Sequence, residues 1–203
     1  MQVDDLWNRG ERIVPGYTNC QGDEPMHRAR YHFAKQYCHR FEDTIVDWGC
    51  GVGYGSEILR AAHYTGIDCS AEAIAYARNQ YAAYGDFMVS HIETSEARGT
   101  FGIAFEVLEH LQAPPQDSLN LLLERTPRLL ISVPYREAPG RNPWHCHAEL
   151  SEETFAGHPN LVSVWYQSMS GEIIPTRTPA ACIMLAYFLR GIPGTSNRSE
   201  GLC

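Results

Sequence analysis

Short apolar runs alternate with periodic helical segments from residue 44 onward, and Gly, Asp or Pro stands at most of the joins. Residues 44–48, 64–68, 86–89, 102–105 and 128–133 read as buried strands, and Pro134 ends the last of them because proline cannot extend a ladder. Between them, 54–62 and 71–84 carry helical periodicity. Ser70 is placed to cap the second of these, with Glu72 in its first turn. A further helix containing Leu119 to Leu123 follows Pro114-Pro115, and a short one opens at Ser151. Residues 161–166 form a sixth strand, and the apolar run 180–190 is read as a seventh. The turn-rich segment 170–175 lets that run return antiparallel beside the sixth, although periodicity alone does not separate strand from helix at this length. This alternation predicts a single-domain, doubly wound α/β sheet of seven mostly parallel strands with an antiparallel last strand.

Outside this core, 44–190, the chain predicts two flanking segments. Residues 1–43 combine a Gly- and Pro-rich loop with a helix at 25–40 rich in Arg, His and Tyr, placed as a lid; 191–203 is a Gly/Ser-rich tail expected to be flexible. No internal repeat is present.

Composition narrows the partners. The 203 residues are 44% hydrophobic and carry 16 Lys+Arg against 24 Asp+Glu, a formal net charge of -8, which disfavours a nucleic-acid partner bound through its phosphates. The longest apolar stretch, about ten residues, is half of the roughly 20 needed to span a bilayer. The start Met1-Gln2-Val3-Asp4-Asp5 lacks a basic, apolar secretory signal, and the seven cysteines form no CxxC pair. A cytoplasmic protein with free thiols is expected.

The chemistry concentrates in Asp47-Trp48-Gly49-Cys50-Gly51-Val52-Gly53-Tyr54-Gly55, four glycines at alternate positions between a strand and a helix. Such a loop brings backbone close to a ligand and offers the N–H groups of a helix start. A dinucleotide site requires G-x-G-x-x-G; counted from Gly49 the last position is Tyr54, and from Gly51 it is Ser56. The carboxylate of Asp47 would repel a pyrophosphate but suit a ligand with an ammonium group, as S-adenosylmethionine has. Asp68, 17 residues after Gly51, stands where a carboxylate can accept hydrogen bonds from ribose hydroxyls.

Together with Gly66-Ile67-Asp68 and Phe105-Glu106-Val107-Leu108-Glu109-His110-Leu111, this loop resembles the class I S-adenosylmethionine-dependent methyltransferases, with a Rossmann-like fold; the Glu-His-Leu resembles their small-molecule branch. Gly10 to Gly16, Arg30-Tyr31-His32-Phe33-Ala34, Ser132-Val133-Pro134 and Pro143-Trp144-His145 are similar to bacterial methyltransferases found in glycan and lipopolysaccharide gene sets. The resemblance implies that Asp47, Gly49, Cys50, Gly51 and Gly53 surround the methionine end of S-adenosylmethionine and that Asp68 holds its ribose. Cys69, His91 and Ile92, with Glu93, lie by the adenine, and Phe105 and Glu106 by the sulfonium. Two positions depart from the family pattern: Ser90 replaces an acidic residue, and Phe101-Gly102 stands where an Asp is common.

Methyl transfer needs alignment and, for a hydroxyl acceptor, a base. His110 and His145 are the candidates for it, since imidazole titrates near neutrality. His147, Tyr135 and Arg136, beyond the fifth strand, are expected to meet the substrate. In the N-terminal helix Arg30 is expected to meet the cofactor carboxylate and Tyr31 the substrate. His145-Cys146-His147 places two imidazoles on one face of an extended chain, but no further ligand cluster accompanies them, so no metal is expected. Neither Asn-Pro-Pro-Tyr nor Pro-Cys follows the fourth strand, which speaks against base and glutamine methylation. An oxygen or nitrogen of a small molecule or glycan is the expected acceptor. Two rival readings are a cofactor-binding module without turnover, acting through a partner, and a NAD-dependent oxidoreductase, which the loop spacing disfavours.

Overall fold

A computed structural model describes residues 12–17 and 23–191. The tail expected to be flexible and much of the N-terminal loop, including Gly10 and Glu11, therefore lie outside the described residues. The elements are α1 (Glu24–Ala34), β1 (Thr44–Trp48), α2 (Tyr54–Leu59), β2 (His63–Asp68), α3 (Ala71–Gln80), β3 (Asp86–Val89), β4 (Phe101–Phe105), α4 (Pro115–Arg125), β5 (Arg128–Pro134), α5 (Glu152–Phe155), β6 (Leu161–Ser168), β7 (Ile173–Ile174) and β8 (Ala181–Leu189).

All strands join one sheet in the order β3-β2-β1-β4-β5-β8-β6-β7. The first five in chain order pair in parallel, whereas β8 runs antiparallel to both β5 and β6. The final apolar run is thus a strand returning beside the sixth, as its flanking turn predicts. The sheet has eight strands rather than seven because the turn-rich segment itself contributes β7, whose two residues pair with Tyr166 and Gln167.

Side chains alternate across the sheet. Ile45, Phe101, Ile103 and Leu130 pack with α1, α2 and α3 on one face, while Val46, Trp48, Ala104, Leu129 and Ile131 pack with α4 and α5 on the other. Both faces are covered, which is why these strands read as nearly continuous apolar runs.

Three predicted helices are shorter than their periodicity suggests. α1 stops at Ala34 rather than at residue 40: Gln36 and Tyr37 donate to the carbonyls three residues back, and Tyr37 packs on Trp165 and Tyr187 at ring-centroid distances of 5.4 and 5.0 Å. α2 ends because Arg60 adopts a left-handed φ of 49°. α3 ends at Gln80, with a separate tight turn at Ala82–Tyr84, and its cap is as expected: the Ser70 hydroxyl accepts from the Ala73 N–H at 3.1 Å. The departure at Gly102 has a steric cause, since a Cβ there would lie 2.3 Å from Thr126 Oγ1. No helix among the described residues is long and apolar enough to cross a membrane.

In this strand order the connections leave in opposite directions between β1 and β4. A crevice opens at such a point, beyond the carboxyl ends of the strands.

Candidate functional site

A cavity of about 500 Å³ occupies that crevice, within the range of roughly 300–1,000 Å³ typical of small-molecule sites. The loop after β1 forms one wall. Gly49, Gly51 and Gly53 have φ of 76°, 56° and 84°, a conformation that disfavours side chains. At Gly49 a Cβ would also strike Val107, and at Gly53 it would strike Phe87 and Ala77. At Gly51 nothing lies within 4 Å of that position, so its bare backbone faces the cavity.

Asp68 sets the height of this loop. Its carboxylate accepts from the Gly51 N–H at 3.0 Å and the Ser70 N–H at 2.8 Å, and Arg12 approaches it at 3.5 Å. Cys50, Cys69, His91, Ile92 and Glu93 continue the same wall, and Ser90 N–H donates to the Asp68 carbonyl at 3.0 Å, which draws this segment against the end of β2.

Asp47 does not line the cavity. It is 1% exposed beneath the glycine loop, where Oδ2 accepts from the hydroxyls of Tyr31 at 2.9 Å and Tyr64 at 2.5 Å. Its second oxygen has no hydrogen-bond partner among the described residues. The two phenols cover the carboxylate, so Asp47 lies behind the cavity wall rather than on it. Burial pushes its pKa up to about 6; the two phenolic hydrogen bonds offset part of that rise, and Asp68 adds to it. With the folded pKa above the unfolded value, the stabilising balance is fully present below about pH 4 and is lost as pH rises through about 6. Denaturant titrations of the unliganded protein should show a loss on the order of 3 kcal/mol across that interval, and Asp47→Asn should flatten it. An unchanged slope in the variant would refute the assignment.

The buried face of α1 supplies the next wall. Arg30 is completely buried and borders the cavity; its Nη1 donates to Gln167 Oε1 at 3.1 Å, whereas Nε and Nη2 have no hydrogen-bond partner among the described residues. Gln167 is held in turn through Nε2, which donates to the carbonyls of Met26 and Gly171 at 3.0 and 3.3 Å. Tyr31 lies edge-on to Tyr54 and Phe105, with centroids 5.3 and 5.1 Å apart. Burial, followed by the charge of Asp47, raises the Tyr31 pKa well above its ordinary value, so this phenol remains a donor.

At the end of β4, Phe105 and Glu106 enter the cavity. Glu106 has a left-handed φ of 55°, and its Oε1 accepts from the Ser132 hydroxyl at 2.8 Å. Such a backbone costs on the order of 1 kcal/mol.

His110 and His145 also line the cavity, and their rings meet edge to face at 4.7 Å. His110 sits on the turn Leu108–His110. The loop after β5 is pinned to that turn through the Glu109 carbonyl, which accepts from the N–H groups of Cys146 at 2.7 Å and His147 at 3.1 Å. His110 Nδ1 meets the Trp144 carbonyl at 3.2 Å, and His145 Nδ1 meets the Glu137 carboxylate. The Asn142 side-chain nitrogen lies 3.0 Å from His145 Nε2.

Several predicted residues lie elsewhere. His147 turns its Nε2 to the Ala113 carbonyl at 2.9 Å instead of joining His145. The backbone bonds to Glu109 break the extended path that would have placed the two imidazoles on one face. Tyr135 donates to Glu152 at 3.2 Å and Arg136 pairs with Glu153 at 2.9 Å, both away from the cavity. Gly53 packs behind the loop. Sequence reasoning missed Glu137, Asn142 and the closeness of Glu109 to His145. Only the Glu-His pair and the isolated His145 were signals, and 35 residues separate them.

A family model described as a methyltransferase domain matches residues 26–166. No curated protein matches in sequence. The fold is similar to that of the magnesium protoporphyrin IX methyltransferase of Synechocystis PCC 6803 solved with bound SAH: TM-score 0.67, 17% identity, covering 93% of this chain and 94% of that one. It also resembles the plantazolicin methyltransferase BpumL in complex with a monoazolic desmethylPZN analog and SAH, with TM-score 0.62, 16% identity and coverage of 93% and 89%. For the N-methyltransferase NodS from Bradyrhizobium japonicum WM9 the values are 0.59, 17%, 83% and 98%. With a methyltransferase-domain match over most of its length, on a sheet that returns through an antiparallel last strand and carries a glycine loop after β1, the chain belongs to the class I S-adenosylmethionine-dependent methyltransferases.

Proposed function

We propose that this protein moves a methyl group from S-adenosylmethionine to an oxygen or nitrogen of a small molecule or sugar unit. The observation that carries the reading is the lining of a single cavity. It combines a bare glycine loop, Asp68 and a buried guanidinium, two of whose nitrogens have no hydrogen-bond partner among the described residues, with two anchored imidazoles. These residues fit the cofactor. Arg30 would take its carboxylate, the backbone at Gly49, Cys50 and Gly51 its methionine portion, and Asp68 its ribose. Cys69, His91 and Ile92 would border the adenine, with Phe105 and Glu106 toward the sulfonium. When bound, the cofactor supplies a methyl carbon already activated for displacement.

What remains for the protein is alignment and the handling of the acceptor. His110 and His145 would present their imidazoles to the acceptor, each ring fixed at Nδ1, so that the acceptor atom meets a preset orientation. The segment 12–17 and α1 bring Arg12, His27, Arg30 and Tyr31 to the cavity, which supports the reading of the N-terminal residues as its cover. The two similar proteins solved with bound SAH are named for methylating targets as different as magnesium protoporphyrin IX and plantazolicin, and the acidic balance favours a small acceptor over nucleic acid. A cytoplasmic enzyme fits this reading.

Calorimetry with S-adenosylmethionine, SAH and NAD tests it. Binding of the two sulfur compounds without NAD is expected; NAD binding without either would overturn the proposal in favour of an oxidoreductase. Turnover in a methyl-transfer screen against nucleotide-sugars and small hydroxylated metabolites separates an enzyme from a module that only binds the cofactor.

A further inference from the structure

We infer that Glu109, His110 and His145 form a divalent-cation site beside the cavity. This inference rests on the methyltransferase reading for its role but not for its geometry. The three side chains bring one ligand atom each to within 4.8 Å of one another. Across an occupied shell with bonds of about 2.1 Å, neighbouring ligand atoms lie about 3 Å apart and opposite ones about 4 Å, so a small contraction closes the set.

The tautomers supply a second, independent observation. A carbonyl oxygen only accepts, so the contact of His110 Nδ1 with the Trp144 carbonyl at 3.2 Å puts the proton on Nδ1 and the lone pair on Nε2. The carboxylate of Glu137 does the same for His145. At the other nitrogen the Asn142 amide N–H donates to Nε2 at 3.0 Å, and its orientation is fixed because Asn142 Oδ1 accepts from the Trp144 N–H at 3.0 Å. Both imidazoles therefore hold their lone pairs on Nε2, with Nδ1–H given to a carbonyl in one case and a carboxylate in the other. That is the outer-shell arrangement that orients metal-bound histidines. A cation would compete with Asn142 for the His145 lone pair.

Glu109 is fully buried, and the proximity of all three groups is built into the backbone by the two N–H groups that its own carbonyl accepts. A divalent cation would place a positive charge directly beside its carboxylate. Two imidazoles and one carboxylate suit Mn²⁺, Fe²⁺ or Zn²⁺ better than Ca²⁺. His110, His145 and Glu106 border the cavity, so the positions that the protein leaves open on the cation face the acceptor. The ligand class that follows is an acceptor with a hydroxyl or carboxylate oxygen able to complete the shell, which the cation would fix and polarise. The absence of a metal expected from the His145-Cys146-His147 spacing is thereby revised: the partners of His145 come from the turn after β4, not from its own loop.

The test uses the full chain without a histidine tag, freed of metal with a chelator, and titrated with Mn²⁺ while the free ion is followed by electron paramagnetic resonance. One Mn²⁺ per chain is expected. Binding should weaken at least tenfold in Glu109→Gln, His110→Gln and His145→Gln, and about 10- to 100-fold in Glu137→Gln, which keeps all three ligands. The two histidine variants alter side chains at the cavity surface, so the test does not depend on whether the buried Glu109→Gln folds. No Mn²⁺ binding by the wild type, or binding unchanged in both histidine variants, overturns the site. SAH calorimetry on the metal-free wild type separates the two readings. SAH binding without Mn²⁺ binding removes the cation site alone, whereas failure to bind SAH removes the methyltransferase reading and leaves any measured cation site standing.

Discussion

Replacing Arg30 with methionine should reduce the affinity for S-adenosylmethionine and SAH about 100-fold while making the unliganded protein more stable. Both signs come from one observation. A guanidinium that is completely buried yet, among the described residues, satisfied only at Nη1 carries a desolvation cost that this one bond to Gln167 does not offset. An anion in the cavity would supply the missing partners, and charge-assisted bonds of this kind contribute roughly 1.5–3 kcal/mol each. Methionine keeps the apolar stem and the length without the charge. Calorimetry measures the first effect and denaturant unfolding without cofactor the second, where a gain of about 1 kcal/mol or more is expected. A variant with unchanged affinity would remove Arg30 from the cofactor site. A variant both weaker in binding and less stable would mean that Arg30 serves packing through Gln167.

The second large effect belongs to His145. His145→Ala should lower kcat on the order of 10²- to 10⁴-fold while leaving SAH affinity within twofold, because its proposed role is toward the acceptor and not toward the cofactor. Glu137→Gln removes the charge that orients the ring but keeps the ring, so it should reproduce part of the loss, again in kcat. Loss of SAH affinity equal to the loss in kcat would place His145 in cofactor binding.

How far the chain could be read in advance follows from where each feature is encoded. The glycine loop, Asp68 and the strand–helix alternation are local, with spacing and residue type adjoining in sequence, and the structure has them where they were expected. The return of β8 beside β6 was legible because the turn at 170–175 precedes an apolar run. The early stop of α1 was not: its cause is the packing of Tyr37 on Trp165 and Tyr187, residues more than 120 positions away. The covering of Asp47 by Tyr31 and Tyr64, and the meeting of His110 with His145, are likewise tertiary. Tyr135 and Arg136 show the opposite failure. They directly follow β5, as substrate residues in such sheets often do, yet the carboxylates at the start of α5 hold both side chains away from the crevice.

The place of β8 has a consequence for how the molecule is made. Among the described residues it is the last strand in chain order, yet it lies between β5 and β6 and hydrogen-bonds to both. Until residue 189 has been synthesised, β5 and β6 each present an open edge of unpaired backbone groups, the kind of edge that recruits strands from other chains. A ribosome stalled near residue 180 would hold a chain with its cofactor loop already encoded and its sheet divided. Closure of the sheet waits on the insertion of β8.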